Sequence, residues 1–159
     1  MTTINEEIVE WLRDAYAMER SQETALEKLQ ANGDETIARR TSAAMHLTET
    51  RQHARIVESL LRSLGADASS FKTGLGIMAE KITGLATTMS HDERIKELLG
   101  NYAMENFEIA CYSAIAVGAE LAGLSHIANA CRQIILDEEK MAETIRKELP
   151  HSVREYFGA

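Results

Sequence analysis

The sequence predicts an all-α fold, a single four-helix bundle, and three observations support it. The 159-residue chain contains one proline, and proline is the strongest breaker of helices. Apolar residues recur at helical spacing in four long segments. Near its middle, each segment carries a glutamate on the apolar stripe: Glu19, Glu49, Glu105 and Glu138. Because a chain of this length suits one domain, we expect residues 1–159 to fold as one unit.

The first helix is predicted to begin at Thr3 and to end near Gly33. Thr3 and Glu6 have the spacing of a capping box, in which each side chain accepts a hydrogen bond from the other residue's backbone N–H. Apolar residues then follow one helical face, on which Glu19 lies. Asn32 and Gly33 are residue types that commonly end a helix.

The second helix is predicted over about residues 35–64. Its predicted buried stripe contains Ala38, Ser42, Met45, Glu49, either Gln52 or His53, Ile56, Leu60 and Leu64. His46 stands three residues before Glu49 and His53 four residues after it, and both are neighbour spacings on a helix. The second helix therefore offers one carboxylate and two imidazoles in the same region.

The segment from residue 66 to residue 91 differs from the helices around it. Serines and glycines weaken its pattern, although apolar residues between Leu75 and Leu85 still predict a short accessory helix. A connection of this length between two long helices is typical of a crossover, in which the chain returns from one end of a bundle to the other.

The third and fourth helices complete the bundle. The third is predicted from the capping box at Ser90–Glu93 to Leu121, and it carries Glu105 on its stripe with Glu108 beside the same face. Ser125 is predicted to cap the fourth helix and Pro150 to end it. A last turn is expected at Val153, Tyr156 and Phe157, against the bundle or a second subunit.

Together the inward glutamates predict a metal site. A carboxylate in a core is costly unless it is protonated, paired or bound to a cation. Four-helix bundles place dinuclear iron or manganese sites among inward glutamates and nearby histidines. Oxygen-rich ligation with imidazole suits those metals better than a structural zinc site. The predicted ligands are Glu19, Glu49, Glu105, Glu108 and Glu138. His46 and His53 are each expected to be a ligand, an outer partner of a ligand or a packed core residue.

Three tyrosines lie one turn from these glutamates, and their role stays open at this stage. Tyr16, Tyr102 and Tyr112 either hydrogen-bond the carboxylates or pack in the core. The two cysteines, Cys111 and Cys131, match neither a zinc motif nor a disulfide framework, and we expect them to be small core residues.

Charge and hydropathy exclude several classes of partner. The net charge of −8 argues against a nucleic-acid-binding surface, which requires a basic footprint. No apolar stretch approaches the roughly 20 residues of a membrane span, and no signal peptide is predicted. We therefore expect a cytoplasmic protein with no membrane partner.

The sequence resembles the YciF-like stress-response family of the ferritin-like superfamily over about residues 5–148. Four strings carry the resemblance: Asp14–Glu19, His46–Thr50, Glu105–Tyr112 and Leu136–Glu139. The resemblance implies an antiparallel ferritin-like bundle with an accessory helix, assembled as a homodimer. The pair Glu105 and Glu108 is similar to the helix with which rubrerythrin-type proteins offer two carboxylates to a di-iron centre.

The sequence also departs from the superfamily pattern, which places Glu-x-x-His on the second and fourth helices. Gln52 stands three residues after Glu49, and Met141 three residues after Glu138. His46 or His53 offers a substitute on the second helix, whereas the fourth helix has only Glu139 in reserve. One of the two metal positions is therefore expected to be poorly liganded, singly occupied or empty.

Two functional hypotheses follow from the residues and the resemblance. The first is a stress-response protein that binds two iron or manganese ions per subunit and reacts with peroxide or oxygen. The alternative is a non-enzymatic structural or interaction protein whose metal site is vestigial or partly occupied. Whether the protein is an enzyme stays open. Iron storage in a hollow shell is disfavoured, because no additional C-terminal helix of the cage-forming kind is predicted.

Overall fold

The structure is a computed structural model that describes residues 3–31, 37–68 and 92–159. Four helices make up the described chain: α1 (Ile4–Ala31), α2 (Ile37–Ser63), α3 (Glu93–Leu121) and α4 (Ser125–Phe157). The predicted all-α four-helix bundle is confirmed. No helix within these ranges is long and apolar enough to cross a membrane.

Within the described residues each helix packs closely against two others, and across one diagonal a side-chain contact joins His46 of α2 to Glu105 of α3. Helix α1 packs on α2 and α3, and α4 packs on the same two helices. Ion pairs fix the directions: Arg51 of α2 contacts Glu23 of α1, while Arg13 of α1 reaches Asp67 beyond the end of α2. Helices α1 and α2 are therefore antiparallel.

The other adjacent pairs are antiparallel for the same reason. Gln22 donates a hydrogen bond to Glu105, whereas the start of α1 packs against the end of α3 at Gly118. Arg94 pairs with Glu148 near the start of α3, and Arg132 pairs with Glu120 near its end. Between α2 and α4, the contacts are His53 with Asp137 and Ser63 with His126.

This topology places the two helices of the α2–α3 diagonal parallel to each other. The 27 residues of α2 span about 40 Å, so the end of α2 and the start of α3 lie at opposite ends of the bundle. The two helix ends are therefore placed as the predicted crossover requires. The predicted accessory helix at Leu75–Leu85, like Asn32, Gly33 and Ser90, lies outside the described residues.

The helix ends agree with the sequence at the start of α1 and at the end of α3, Leu121, and they differ at both ends of α4. The Thr3 backbone N–H donates to Glu6 Oε2 at 2.7 Å, and the Glu6 N–H donates to Thr3 Oγ1 at 3.3 Å, which confirms the first capping box. Ser125 is the first residue of α4 rather than its cap, because Leu124 occupies the cap position without a side-chain hydrogen bond.

The prediction that Pro150 ends the fourth helix is wrong. Helix α4 continues through Pro150 to Phe157 and ends at Gly158, which has a left-handed φ of 68°. Proline removes one hydrogen bond, but a helix that is already nucleated needs no new nucleus to continue. Ser152, beyond the proline, is buried. The rings of Tyr156 and Phe157 pack edge to face, 5.0 Å apart, on an exposed surface.

Close packing between α1 and α3 depends on Gly118. A Cβ atom at this position would lie 2.8 Å from Ile8 Cδ1 and 2.9 Å from Trp11 Cζ3. Glycine therefore permits the close approach of the two helices at this end of the bundle. The apolar core continues from here through Leu12, Leu61 and Ile115. Both cysteines are free; Cys131 is buried in the core and Cys111 packs partly buried against it.

The predicted buried face of α2 is wrong by about one residue. Met45 is 57% exposed, and Gln52 is exposed as well. The face that is buried contains Ala43, His46, Leu47, Thr50, His53, Ala54, Val57, Leu60 and Leu61. Two apolar series run along this helix, and the one that ends in Val57 and Leu61 faces inward because those residues fill the core. Glu49 is consequently half-buried at the edge of the inward face.

Candidate metal centre

The predicted site residues converge in the interior of the bundle. Every helix contributes to the cluster, because the antiparallel packing brings their middle sections to the same depth. The six residues that are buried, with at most 7% exposure, are Glu19, His46, His53, Glu105, Glu108 and Glu138. The seventh, Glu49, is half-buried.

The first ligand group combines three helices. Glu19 of α1, His53 of α2 and Glu138 of α4 each offer one ligand atom, and these atoms lie within 4.8 Å of one another. His53 Nδ1 lies 2.8 Å from Glu138 Oε1 and 3.8 Å from Glu19 Oε1. The group therefore offers one imidazole nitrogen and two carboxylates.

The second ligand group consists of carboxylates alone. Glu105 and Glu108 of α3 and Glu138 of α4 offer oxygen atoms within 4.8 Å of one another. His46 Nε2 lies 3.1 Å from Glu105 Oε1 at the border of this group. Glu138 belongs to both groups, so the two adjoining ligand sets share a carboxylate that has two oxygen atoms to offer.

Two further buried side chains hold the carboxylates in place. The Tyr112 hydroxyl donates a hydrogen bond of 2.5 Å to Glu19 Oε1 on the facing helix. Gln22 Nε2 donates to Glu105 Oε1 at 3.3 Å. Tyr112 thus hydrogen-bonds a predicted ligand, although not Glu108 on its own helix. Tyr102 is exposed and Tyr16 packs against the apolar core.

Sequence reasoning missed two polar residues at this site. Gln22 is 2% exposed and lies one turn after Glu19 on α1, so its helical spacing from Glu19 was an available signal. Asp137, which is half-exposed, accepts a contact of 3.4 Å from His53 Nε2. No periodicity signal marks Asp137, because it lies one residue outside the buried stripe of α4.

Four buried polar atoms of the cluster make no hydrogen bond of regular geometry. Two of them, His46 Nε2 and His53 Nδ1, face a carboxylate oxygen at 3.1 and 2.8 Å, and the other two are Glu105 Oε2 and Glu108 Oε1. A buried polar atom without a partner costs about 1–3 kcal/mol, and such atoms in a native structure call for an explanation. A bound cation would accept the lone pairs of all four atoms. The donor set, oxygen-rich with imidazole, therefore fits a metal ion of the iron or manganese type.

Burial and mutual repulsion shift the pKa values of the carboxylates. Burial, reinforced by the negative charge of Glu138, raises the pKa of Glu19 to about 8. The same two causes raise the pKa of Glu105 and of Glu108 well above the usual range. Without a cation, these side chains therefore hold protons near neutral pH.

His53 and Glu138 form the charged pair of the metal-free cluster. Burial alone would lower the pKa of His53, but its contact with Glu138 and the charge of Glu19 raise that pKa to about 9. Burial alone would raise the pKa of Glu138, but its contacts with His53 and Glu105 lower it. Burial lowers the pKa of His46, which favours its neutral, metal-binding form.

Glu49 lies in neither of the three-residue ligand groups of the described chain. Its negative charge still acts on the cluster, since it opposes the lowering of the His46 pKa and adds to the raising of the Glu105 pKa. Its role as a ligand remains a prediction. On α4, Met141 is partly buried, and no imidazole replaces the one that the superfamily pattern places there.

Comparisons with known proteins agree with this fold. A solved structure from Xanthomonas campestris is 28% identical, covers 98% of this chain and 97% of its own, and has a TM-score of 0.80. The Escherichia coli stress protein YciF is 20% identical, with coverage of 97% and 99% and a TM-score of 0.84. A ferritin-like, diiron-carboxylate protein of Bacillus anthracis is 15% identical, with coverage of 94% and 99% and a TM-score of 0.71.

These likenesses confirm the ferritin-like fold that the sequence resemblance implied. The buried carboxylate and histidine groups described above occupy the interior of that fold and could hold metal ions. The family model described as a domain of unknown function, DUF892, matches residues 3–158, nearly the whole chain. The chain therefore belongs to the DUF892 family.

Proposed function

We propose that the protein binds two divalent metal ions, iron or manganese, at the buried cluster and acts in the response to stress. One observation carries the proposal: Glu138 is shared by two adjoining groups of buried ligand atoms. A single buried glutamate is readily explained as an ion pair or a protonated side chain. Two groups that meet at one carboxylate match a pair of neighbouring cations, which dinuclear sites hold about 3.5–4 Å apart.

The charges of the cluster support the same proposal. Glu19, Glu105, Glu108 and Glu138 carry four negative charges when ionised, and two divalent cations carry four positive charges. Ligation offsets the burial and the mutual repulsion that together raise the carboxylate pKa values, and it engages the buried polar atoms that lack a regular hydrogen bond. Two structural neighbours, a stress protein and a ferritin-like, diiron-carboxylate protein, support the same proposal.

When bound, iron would supply the electrons for reduction of peroxide or oxygen. Glu19, His53, Glu105, Glu108 and Glu138 are proposed to hold it. Tyr112 keeps a proton on its hydroxyl group, which donates to Glu19, because burial raises the pKa of this phenol far above its usual range. Met104 and Ile134 are fully buried in the adjoining core and keep bulk water away.

Metal stoichiometry and oxidation kinetics test the proposal. Metal-free protein loaded anaerobically with Fe(II) and desalted should retain about two ions per chain by elemental analysis. Addition of peroxide or O₂ should then oxidise the bound Fe(II) faster than free Fe(II). The Glu138→Gln variant should lose both properties, whereas Glu139→Gln, an exposed neighbour, should keep them. Retention of well under one iron or manganese ion per chain would contradict the proposal.

A second candidate function is a non-enzymatic stress protein with a partly occupied site. Two observations favour it: Met141 stands where the superfamily pattern has histidine, and Glu49 lies outside both ligand groups. This candidate predicts at most one ion per chain and no acceleration of Fe(II) oxidation. The same loading experiment separates the two candidates.

The proposal includes a cytoplasmic homodimer, as the sequence resemblance implies. The outer face of α3 supports self-association, because Glu105 and Glu108, both buried, are the only charged residues from Leu98 to Ala119. Leu99, Val117 and Leu121 are between 50% and 76% exposed on this helix. The segment is about 33 Å long, and two copies facing each other across a two-fold axis would bury it. The Val117→Glu substitution should then convert a dimer to a monomer in size-exclusion chromatography with light scattering.

A further inference from the structure

His53 is the histidine of the cluster that is held from both sides. Its Nε2 atom lies 3.4 Å from Asp137 Oδ2, and its Nδ1 atom faces Glu138 and Glu19 at 2.8 and 3.8 Å. The side chain of Asp137 is 50% exposed, while that of His53 is 3% exposed. The imidazole therefore connects a carboxylate at the surface with the two carboxylates of the first ligand group.

Asp137 favours one tautomer of the ring when a cation is bound. A neutral imidazole has one N–H donor and one lone pair, and a carboxylate accepts hydrogen bonds. If the cation takes the lone pair of Nδ1, on the side of Glu19 and Glu138, the N–H lies on Nε2, where Asp137 accepts it. Metal-binding histidines generally have such an outer carboxylate or carbonyl, which orients the ring and raises the basicity of the ligand nitrogen.

The second ligand group lacks a matching arrangement. Glu105, Glu108 and the shared Glu138 offer oxygen atoms alone. His46 approaches this group, but its Nε2 atom makes no regular hydrogen bond and its close carboxylate contact is Glu105, a member of the cluster itself. The helix that would supply an imidazole to this group in the superfamily pattern carries Met141 instead.

We propose that the two metal positions are unequal and fill in order, and that Asp137 is a positioning residue for the first. This inference rests on the proposed function. The first ion binds at Glu19, His53 and Glu138, where the ring of His53 is already oriented. The second binds at Glu105 and Glu108 after Glu138 is already engaged, and it enters against the positive charge of the first ion.

Titration of the metal-free full-length chain with Mn(II) tests the order of filling. Calorimetry should resolve two steps whose Kd values differ at least tenfold. At one equivalent, electron paramagnetic resonance should show isolated Mn(II) ions, and a spectrum of exchange-coupled pairs should develop only with the second equivalent. One step for two ions, with coupled pairs already dominant below one equivalent, would overturn the ordered filling while leaving the proposed function intact.

Variants of Asp137 test the positioning role. Asp137→Ala should raise the Kd of the first step about 10- to 100-fold, the usual effect of losing an outer partner of a metal ligand. Asp137→Asn keeps an acceptor oxygen and should restore much of the affinity. Glu139→Ala, which removes an exposed carboxylate two residues away on the same helix, should leave both steps unchanged.

A merely structural role for Asp137 gives a different pattern. In that case Asp137→Ala would lower the Tm of the metal-free protein and leave the first Kd at its wild-type value, and the positioning role would be refuted. Absence of any Mn(II) and Fe(II) binding by the wild-type chain would refute the proposed function and this inference together.

Discussion

Two sections of the bundle are equally buried but chemically opposite. The apolar section lies where α1 begins and α3 ends, and it contains Ile8, Leu12, Leu61, Ile115 and Ile127. The ligand section lies farther along the same helices, and it contains Glu19, His53, Glu105, Glu108 and Glu138. Residues of the first section are at most 2% exposed and those of the second at most 4%. The same degree of burial thus accompanies opposite energetic consequences.

The apolar section stabilises the fold, whereas the ligand section carries the proposed metal binding. Burial of apolar side chains stabilises the bundle by about 25 cal/mol for each Å² removed from water. Burial of the ligand section destabilises it, since Glu19, Glu105 and Glu108 must hold protons and several buried polar atoms lack a regular hydrogen bond. We infer that the apolar section stabilises the metal-free bundle enough to offset the energetic cost of the ligand section before a cation binds.

The largest expected effect is in the apolar section. Leu12→Ala should lower the free energy of unfolding by about 2–5 kcal/mol, because Leu12 is fully buried and the substitution leaves a cavity. Urea titration followed by circular dichroism measures the loss. Leu136→Ala, on α4 at a position that is 56% exposed, serves as the control and should change stability by less than about 0.5 kcal/mol. The metal-dependent increase in Tm should survive in the Leu12 variant.

The next effect is in the ligand section, where a substitution should change the stability of the metal-bound protein and not lower that of the metal-free protein. Mn(II) or Fe(II) at 100 times its Kd should stabilise the wild-type protein by about 2.7 kcal/mol, because it binds the native state. Glu108→Gln should keep or raise the Tm of the metal-free protein, since it removes a buried ionisable group, but it should lose most of the metal-dependent increase. A Glu108→Gln variant that shifts as much as the wild type on metal addition would exclude Glu108 as a ligand.

A further effect, spread over several pH units, is expected from pH. The pKa of Glu19 rises from 4.5 to about 8 on folding and that of His53 from 6.5 to about 9. The stabilising contribution of each is complete below its unfolded pKa and is lost as the pH rises through its folded pKa. The Tm of the metal-free protein should therefore fall between pH 6.5 and 9. Differential scanning calorimetry should show a smaller fall after Mn(II) is added, and a rising Tm in the metal-free protein would contradict these assignments.

The smallest effect is expected at the hydrogen bond that connects α1 and α3 inside the ligand section. Tyr112→Phe should cost about 1 kcal/mol, because it removes the 2.5 Å hydrogen bond to Glu19 and leaves the ring packing in place. Thermal unfolding of the metal-free protein measures this cost. Tyr156→Phe, on α4 at a position that is 47% exposed, is the matched control and should be neutral.

The sequence predicts those features of the molecule whose signals lie within a single helix. The capping box of Thr3 and Glu6 is local, and it was predicted correctly. The convergence of Glu19, Glu105, Glu108 and Glu138 was predictable because each interrupts an apolar stripe near the middle of a helix. Those signals lie within single helices and survive assembly of the bundle.

Features that depend on the rotation of one helix against another were not predictable in the same way. The two competing apolar series of α2 left its inward face open, and the structure turns His46 and His53 inward with Glu49 at the edge. The contact of Asp137 with His53 joins residues 84 positions apart, and no pattern in the sequence indicates that the two side chains meet. The prediction at Pro150 was wrong because helix α4 is already formed before this residue and continues without a new nucleus.

Anomalous diffraction from crystals loaded with Mn(II) would test the proposed metal centre most directly. Data collected on both sides of the manganese absorption edge locate the ions without reference to activity. We expect two peaks, one bounded by Glu19, His53 and Glu138 and the other by Glu105, Glu108 and Glu138, the first with the higher occupancy at limiting Mn(II). Absence of anomalous density from the ligand section under saturating Mn(II), with the fold intact, would contradict the proposal.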